Sequence, residues 1–143
     1  NEIAKNKTFL KNKIIIDMNT ISLEDKVEAK DALEKINISS DNIEIKDGKI
    51  EFQNNVNFQS KSYEISGEVA MYDKNSDVIQ IQGSPVRFRI KNEDNNFKGF
   101  SNMVFIKEDE IEISGSVLIE DDLSRIRGEI IKFNISSGEL QIN

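Results

Sequence analysis

The chain has 143 residues, which suits one domain, and its 37% hydrophobic and 31% charged residues are typical of a folded globular protein. The net charge of −7 argues against nucleic-acid binding, because that affinity comes mainly from Lys and Arg and the sequence has no basic cluster. Cysteine and histidine are both absent. We therefore expect no disulfide, no thiolate or imidazole metal site, no cofactor and no enzyme built on a Ser-His or Cys-His pair.

Targeting signals are not apparent in the sequence. No apolar run approaches the ~20 residues of a membrane-spanning helix, and the first ten residues lack the apolar segment of a signal peptide. Composition leaves two compartments open: the cytoplasm, or an exported space reached by a form whose signal has been removed.

A repeat of about thirty residues organises the chain. Four segments share two alternating apolar residues, a turn-prone residue and two more alternating apolar residues. They begin at Ile21, Ile50, Ile79 and Ile111, and their turn-prone positions hold Asp25, Asn54, Gly83 and Gly115. Alternation predicts two short strands joined at a turn, with one face of each strand inward.

The repeat divides a single domain, residues 1–143, into units near 10–29, 36–58, 63–89, 97–119 and a partial unit at 124–143. Asp47-Gly48 between two alternating segments predicts a two-residue hairpin. Residues 22–36 are rich in Glu, Lys, Ala and Leu, so their pattern is compatible with a helix, although the repeat register favours strands through Ala29 and leaves room for a helical turn across Lys30–Lys35.

The predicted fold class is all-β. Each unit has one apolar face that it cannot bury alone, so stacking the units builds a continuous apolar seam. Short strands with frequent turns indicate a sandwich, a jellyroll or a solenoid. Both ends of such a stack present unpaired backbone groups that can accept a strand from a partner.

The segment Gly83–Phe88, with Pro85 in its middle, resembles the Gly-x-Pro-x-x-Phe turn of OstA-like domains. Ser40-Asp41, Tyr72-Asp73 and Ile126–Glu129 are also similar to that family, and the resemblance covers residues 36–143 well. The family is the LptA/OstA-like one, the periplasmic bridge proteins of lipopolysaccharide transport. Asp25 and Asn54 depart from its pattern, since they occupy the position of the usual turn glycine.

The resemblance implies a repeat-built antiparallel β-jellyroll in the periplasm, without catalysis. Its apolar interior would bind the lipid A acyl chains of lipopolysaccharide. Copies would stack head to tail, and LptC-like and LptD-like proteins would dock by edge-strand addition. The sister LptC periplasmic domain and the LptD N-terminal domain share this fold and remain alternatives, as does a structural or adhesive β-repeat protein with a closed interior.

Lipid binding is expected at inward apolar positions of the strands. These are Ile45, Ile50, Phe52, Val56, Phe58, Ile65, Val69, Met71, Ile79, Ile81, Val86, Phe88, Phe105, Ile111, Ile113 and Val117. Arg87 and Arg89 alternate with apolar residues and should point outward, either as ordinary surface charge or towards a lipid phosphate. The acidic runs 108–110 and 120–122 lack the ligand spacing of a calcium loop and indicate solvated turns.

Overall fold

The computed structural model describes residues 7–10, 13–17, 35–91 and 96–142, and all regular elements among them are β-strands. The strands are β1 (Lys7–Leu10), β2 (Lys13–Asp17), β3 (Lys35–Ser39), β4 (Asn42–Lys46), β5 (Lys49–Gln59), β6 (Tyr63–Asp73), β7 (Val78–Lys91), β8 (Asn96–Ile106), β9 (Glu110–Glu120), β10 (Arg125–Asn134) and β11 (Leu140–Ile142). They form one antiparallel sheet in the order β1-β2-β3-β5-β6-β7-β8-β9-β10-β11, and β4 also pairs with β5. Within the described ranges, no helix has the length and apolar character needed to cross a bilayer.

The predicted hairpin at Asp47-Gly48 is confirmed. Lys46 pairs with Lys49, and the two residues between them have φ values of 51° and 78°. Positive φ at both central positions is the requirement of the tight hairpin turn whose twist matches the flanking strands. The turn therefore fixes the register of β4 on β5.

The prediction of short strands joined at turns is wrong for the described units. Strands β5 to β10 are continuous and 10 to 14 residues long. A register shift interrupts the pairing near the middle of each neighbouring pair from β5 to β10, for example between Gln53 and Val56 and between Gln82 and Val86. Asn54, Gly83 and Gly115 lie in these β-bulges, which bend a strand without ending it.

The row of bulges folds the sheet into two layers that face each other. The first layer comprises β4, 49–53, 69–73, 78–82, 103–106, 110–114, 130–134 and β11. The second layer comprises β1, β2, β3, 56–59, 63–66, 86–91, 96–101, 117–120 and 125–128. Phe97 of the second layer and Phe133 of the first have ring centroids 5.9 Å apart in an edge-to-face arrangement, so the inner faces of the two layers pack together. This is the arrangement of a β-jellyroll.

The chain crosses from the second layer to the first between β3 and β4, beside the bulge of β5. The backbone N–H of Asp41 donates to the carbonyl oxygen of Asn54 at 2.9 Å. The Asn55 side-chain amide donates to Asp41 Oδ2 at 2.7 Å. These bonds hold the crossing against the bulge. Most of unit 10–29 and the ambiguous segment 22–34 lie outside the described residues, while Lys35 begins strand β3.

Candidate functional site

The space between the two layers is apolar. Its core combines residues from β3 and from β5 to β10 in one buried cluster. Among residues 36–91 and 96–142, the buried polar side chains are Ser40 and Ser101. Burial of hydrocarbon surface stabilises such an interior by roughly 25 cal/mol per Å². Among the described residues, this region therefore offers a ligand mainly contact with hydrocarbon.

Most of the predicted lipid-binding residues face this interior. Those that are buried in the core are Ile50, Phe52, Val56, Phe58, Ile65, Ile79, Ile81, Val86, Phe88, Ile111, Ile113 and Val117. They are at most 4% exposed, so the interior is closed in this conformation. An acyl chain could enter only if the layers separated or if it threaded in from an end.

The prediction that Val69 and Met71 face inward is wrong. Both lie on the outer face of the first layer, 38% and 36% exposed, while their neighbours Ala70 and Tyr72 are buried. The cause is the register shift between Ser66 and Val69. Two residues of β6 oppose four of β7 in this interruption, and the alternation of inward positions shifts by one residue across it.

Phe105 is likewise wrong as an inward residue. It is half-buried on the outer face of the first layer, whereas Val104 and Ile106 are buried in the core. The register of β8 shifts between Phe100 and Met103, which inverts the alternation in the same way.

Several core residues escaped the sequence prediction. The large ones are Ile36, Ile38, Tyr63, Tyr72, Ile90, Phe97, Val104, Ile106, Ile131 and Phe133. Most lie at strand ends or beyond a bulge. There, inward positions cannot be found by applying one strict alternation to the whole strand. Counting separately from each end of a strand would have identified them, since the two halves alternate regularly.

The interior is partly exposed at both ends of the stack. Ile45 of β4 pairs with buried Ile50 and shares its inward orientation, but it is 43% exposed, and no described strand lies on the other side of β4. At the opposite end, Ile142 of β11 pairs with buried Ile131 and is also 43% exposed. Each end of the seam therefore presents apolar inner-face side chains.

Backbone pairing is also incomplete at these ends. Among the described strands, β4 pairs only with β5, and β11 pairs only with β10. Residues 125–128 of β10 pair with β9 and have no described strand on their other side. Such edges expose N–H and C=O groups to which an extended strand can bind.

Gly99 allows close packing across β7 and β8. It pairs with Phe88, and a Cβ at this position would lie 2.9 Å from Cζ of Phe88 and too close to the carbonyl oxygen of Leu118. Only glycine therefore fits beneath the Phe88 ring. This contact fixes one aromatic side chain of the interior.

Tyr72 carries a polar group at the margin of the core. Its side chain is buried, and its hydroxyl donates to Asp77 Oδ1 at 2.7 Å. Burial, followed by the bond to Asp77, raises the pKa of the Tyr72 hydroxyl well above its usual range. The hydroxyl is thus neutral, and its hydrogen bond links β6 to the turn that precedes β7.

The remaining sequence candidates lie on the outside. Arg87 and Arg89 are exposed, as predicted. Both acidic runs form turns: Asp109 accepts hydrogen bonds from Ser136, and Asp121 accepts from the backbone N–H groups of Leu123 and Ser124. Within the described part of the chain, no group of three or more acidic, His or Cys side chains could hold a metal ion.

Comparison with solved structures identifies the fold. The chain superposes with a TM-score of 0.66 on the crystal structure of LptH, the LptA-homologous periplasmic component of the lipopolysaccharide transport device of Pseudomonas aeruginosa. The match has 16% sequence identity and covers 76% of this chain and 81% of the LptH chain. Neither a scan of protein-family models nor a search of curated proteins matched the sequence. The chain has the LptA-like β-jellyroll fold, which confirms the fold class and the structural resemblance expected from its motifs.

Proposed function

We propose that this protein is a non-enzymatic, periplasmic component of lipopolysaccharide transport that binds lipid A acyl chains between its two β-layers. The observation that carries the proposal is the continuous apolar interior of an LptA-like jellyroll, which runs from Ile43 of β4 at one end to Leu140 of β11 at the other. A hydrocarbon chain would replace side-chain contacts with contacts of the same kind, so its binding requires no buried polar partner.

The route of the acyl chain follows from where the interior is exposed. The middle of the core is closed, whereas the end residues Ile45 and Ile142 are each 43% exposed. We infer that acyl chains enter at an end of the seam and that the layers part to receive them. The same ends would receive a partner, because their backbone edges and their apolar inner faces lie side by side.

End-to-end association extends the interior. Two copies joined by the β4 edge of one and the β10–β11 edge of the other would align their apolar seams. This contact is heterologous and does not close, so it gives a row of copies. LptC-like and LptD-like proteins would dock at the two ends of such a row.

Placement of the aromatic side chains favours an interior ligand over an adhesive outer surface. Phe52, Phe58, Phe88, Phe97 and Phe133 are buried in the core. An adhesive β-repeat would instead present most of its aromatic rings outward, where they can contact a partner.

The proposal is tested by measuring whether binding depends on acyl chains. Lipopolysaccharide and the same glycan without its acyl chains would be titrated into the protein by calorimetry. We expect lipopolysaccharide to bind at least about tenfold more tightly, since each buried CH₂ contributes ~0.8 kcal/mol. Equal affinities would contradict an acyl-binding interior and would leave a β-repeat that recognises glycan or protein.

A further inference from the structure

The outer face of the second layer contains a hollow with a volume of about 410 Å³. It lies over the middle strands of the layer, where Arg87 pairs with Ser66 and Phe100, and Arg89 pairs with Glu64 and Lys98. The sheet itself separates the hollow from the apolar interior. Its size falls within the range of small-ligand sites, ~300–1,000 Å³.

Charge in the hollow is unbalanced in favour of cations. Its acidic residues are already paired with cations outside its lining: Glu64 Oε2 lies 2.8 Å from Lys91 Nζ, and Glu120 Oε2 lies 3.2 Å from Arg125 Nη2. The hydrogen bond from Lys91 lowers the pKa of Glu64, which keeps that carboxylate ionised and paired.

The cations that line the hollow form no ion pair of this kind with the described residues, although the charge of Arg89 helps to lower the pKa of Glu64. In residues 36–91 and 96–142, no ion pair engages Arg87, Arg89 or Lys98. Three positive charges from neighbouring strands β7 and β8 therefore line the hollow with no acidic group of the described residues within 4 Å, although Glu64 and Glu120 are cross-strand neighbours of Arg89 and Lys98, on a protein whose net charge is −7. Converging Arg and Lys side chains suit a phosphate or carboxylate group.

The rest of the lining suits a sugar ring. Asn57 and Ser66 border the hollow, and neither side chain makes a hydrogen bond to the described part of the chain, so both are available to hydroxyl groups. Phe100 is half-buried beside them, and an aromatic ring can pack against the C–H face of a pyranose. A second cavity of about 400 Å³ shares Arg89, Lys98 and Glu120 with this hollow, and its lining also includes Asp121 and Asp122, so the cations lie between the hollow and an acidic neighbouring cavity.

We propose that this hollow binds a soluble acidic saccharide, with Arg87, Arg89 and Lys98 around its acid group and Phe100 beneath its ring. The site lies on the opposite side of the sheet from the interior, so it does not depend on acyl-chain binding. It goes beyond the proposed transport function and would persist if that function were wrong.

The test is a titration of the ¹⁵N-labelled protein with glucose 6-phosphate, followed by NMR. We expect saturable shifts centred on the amides of Ser66, Arg87 and Phe100. Inorganic phosphate and glucose should each bind at least about fivefold more weakly, because the first lacks the sugar ring and the second lacks the phosphate group. Equal binding of inorganic phosphate, or the absence of saturable shifts, would overturn the proposal.

The double variant Arg87→Gln/Lys98→Gln should weaken glucose 6-phosphate binding at least about tenfold. Its matched control is Lys46→Gln/Lys49→Gln, which removes two exposed charges from the β4–β5 hairpin and should leave binding unchanged. An equal loss of glucose 6-phosphate affinity in both double variants would show a general effect of net charge and would contradict a specific site at Arg87 and Lys98. Binding to phosphatidylglycerol vesicles without binding to glucose 6-phosphate would also overturn it, since that would identify a membrane surface as the ligand.

Discussion

Phe52 and Phe58 lie on the same strand, six positions apart, and yet their ring centroids are only 6.0 Å apart in an edge-to-face contact. Six residues of straight strand would separate them by ~20 Å. The bulge at Asn54-Asn55, where both residues have positive φ, turns β5 back on itself. The two rings therefore belong to opposite layers, and their contact shows that the two halves of β5 face each other across the interior.

The Phe52–Phe58 contact predicts coupled stability effects. Phe52→Ala and Phe58→Ala should each lower the free energy of unfolding by ~3–5 kcal/mol, because both side chains are fully buried. A double-mutant cycle by chemical denaturation should give a coupling of ~0.5–1.5 kcal/mol. Phe105→Ala is the matched control on the outer face and should cost about 1 kcal/mol or less. A loss for Phe105→Ala as large as that for Phe52→Ala would contradict the assigned faces.

Gly99 provides a second test of the packing. Gly99→Ala would place a methyl group against the Phe88 ring and the Leu118 carbonyl oxygen, so we expect a loss of ~1–3 kcal/mol from overpacking. Glu68→Ala changes an exposed side chain in the bulge of β6 and should leave the unfolding midpoint nearly unchanged. Wild-type stability in Gly99→Ala would mean that β7 and β8 are not packed as closely as the structure has them.

The buried hydroxyl of Tyr72 predicts a pH dependence. Tyr72→Phe removes the hydrogen bond to Asp77 and should cost ~1–2 kcal/mol near neutral pH. The folded-state pKa of Tyr72 is raised, so its contribution is fully present below the unfolded value of about 10 and is lost as the pH rises above it.

Wild type should accordingly lose stability more steeply above pH ~10 than Tyr72→Phe. Unfolding midpoints measured from pH 8 to 11.5 check this prediction, and Tyr63 is present in both proteins as an internal reference. Parallel pH profiles for the two proteins would show that the Tyr72 hydroxyl is not held in a buried hydrogen bond.

The exposed inner-face residue Ile45 predicts a role in self-association. Ile45→Asp places a charge at the open end of the seam and should weaken head-to-tail association at least about tenfold in sedimentation velocity, while the monomer stays folded. Val69→Asp makes the same change on the outer face, at a residue 38% exposed compared with 43% for Ile45, and should associate like wild type. Equal effects of the two variants would contradict docking at the β4 edge.

The sequence predicted the apolar face correctly along β5, β7 and β9, and wrongly beyond the bulges of β6 and β8. In β5, Asn54 and Asn55 both adopt positive φ, and the inward positions continue from Phe52 to Val56 without a change of parity. In β6 the inward positions change from odd to even numbers across Gly67-Glu68, and Val69 moves outward, although β6 leaves two residues unpaired there and β7 leaves four. Both bulges look alike in the sequence, as polar, turn-prone residues. Which side chains point inward beyond a bulge depends on how many residues each of the two paired strands contributes to it.

The ends of the seam were not visible in the sequence pattern. Ile45 and Ile50 carry the same apolar signal, but the first is 43% exposed and the second is buried. Their difference arises from strand order, since among the described strands β4 has a neighbour on one side only. The hollow around Arg87 and Lys98 was also missed, because its lining comes from five strands, β5 to β9, in a known register.

Photo-crosslinking to lipopolysaccharide tests the interior most directly. A photoreactive amino acid would replace Phe52, Phe58 or Phe88 on the inner face, and Met71, Gln80 or Phe105 on the outer face of the first layer. We predict crosslinked lipid from the inner positions, with little from the outer ones. Crosslinks from the outer positions alone, or equal yields from both sets in folded protein, would contradict acyl-chain binding between the two layers.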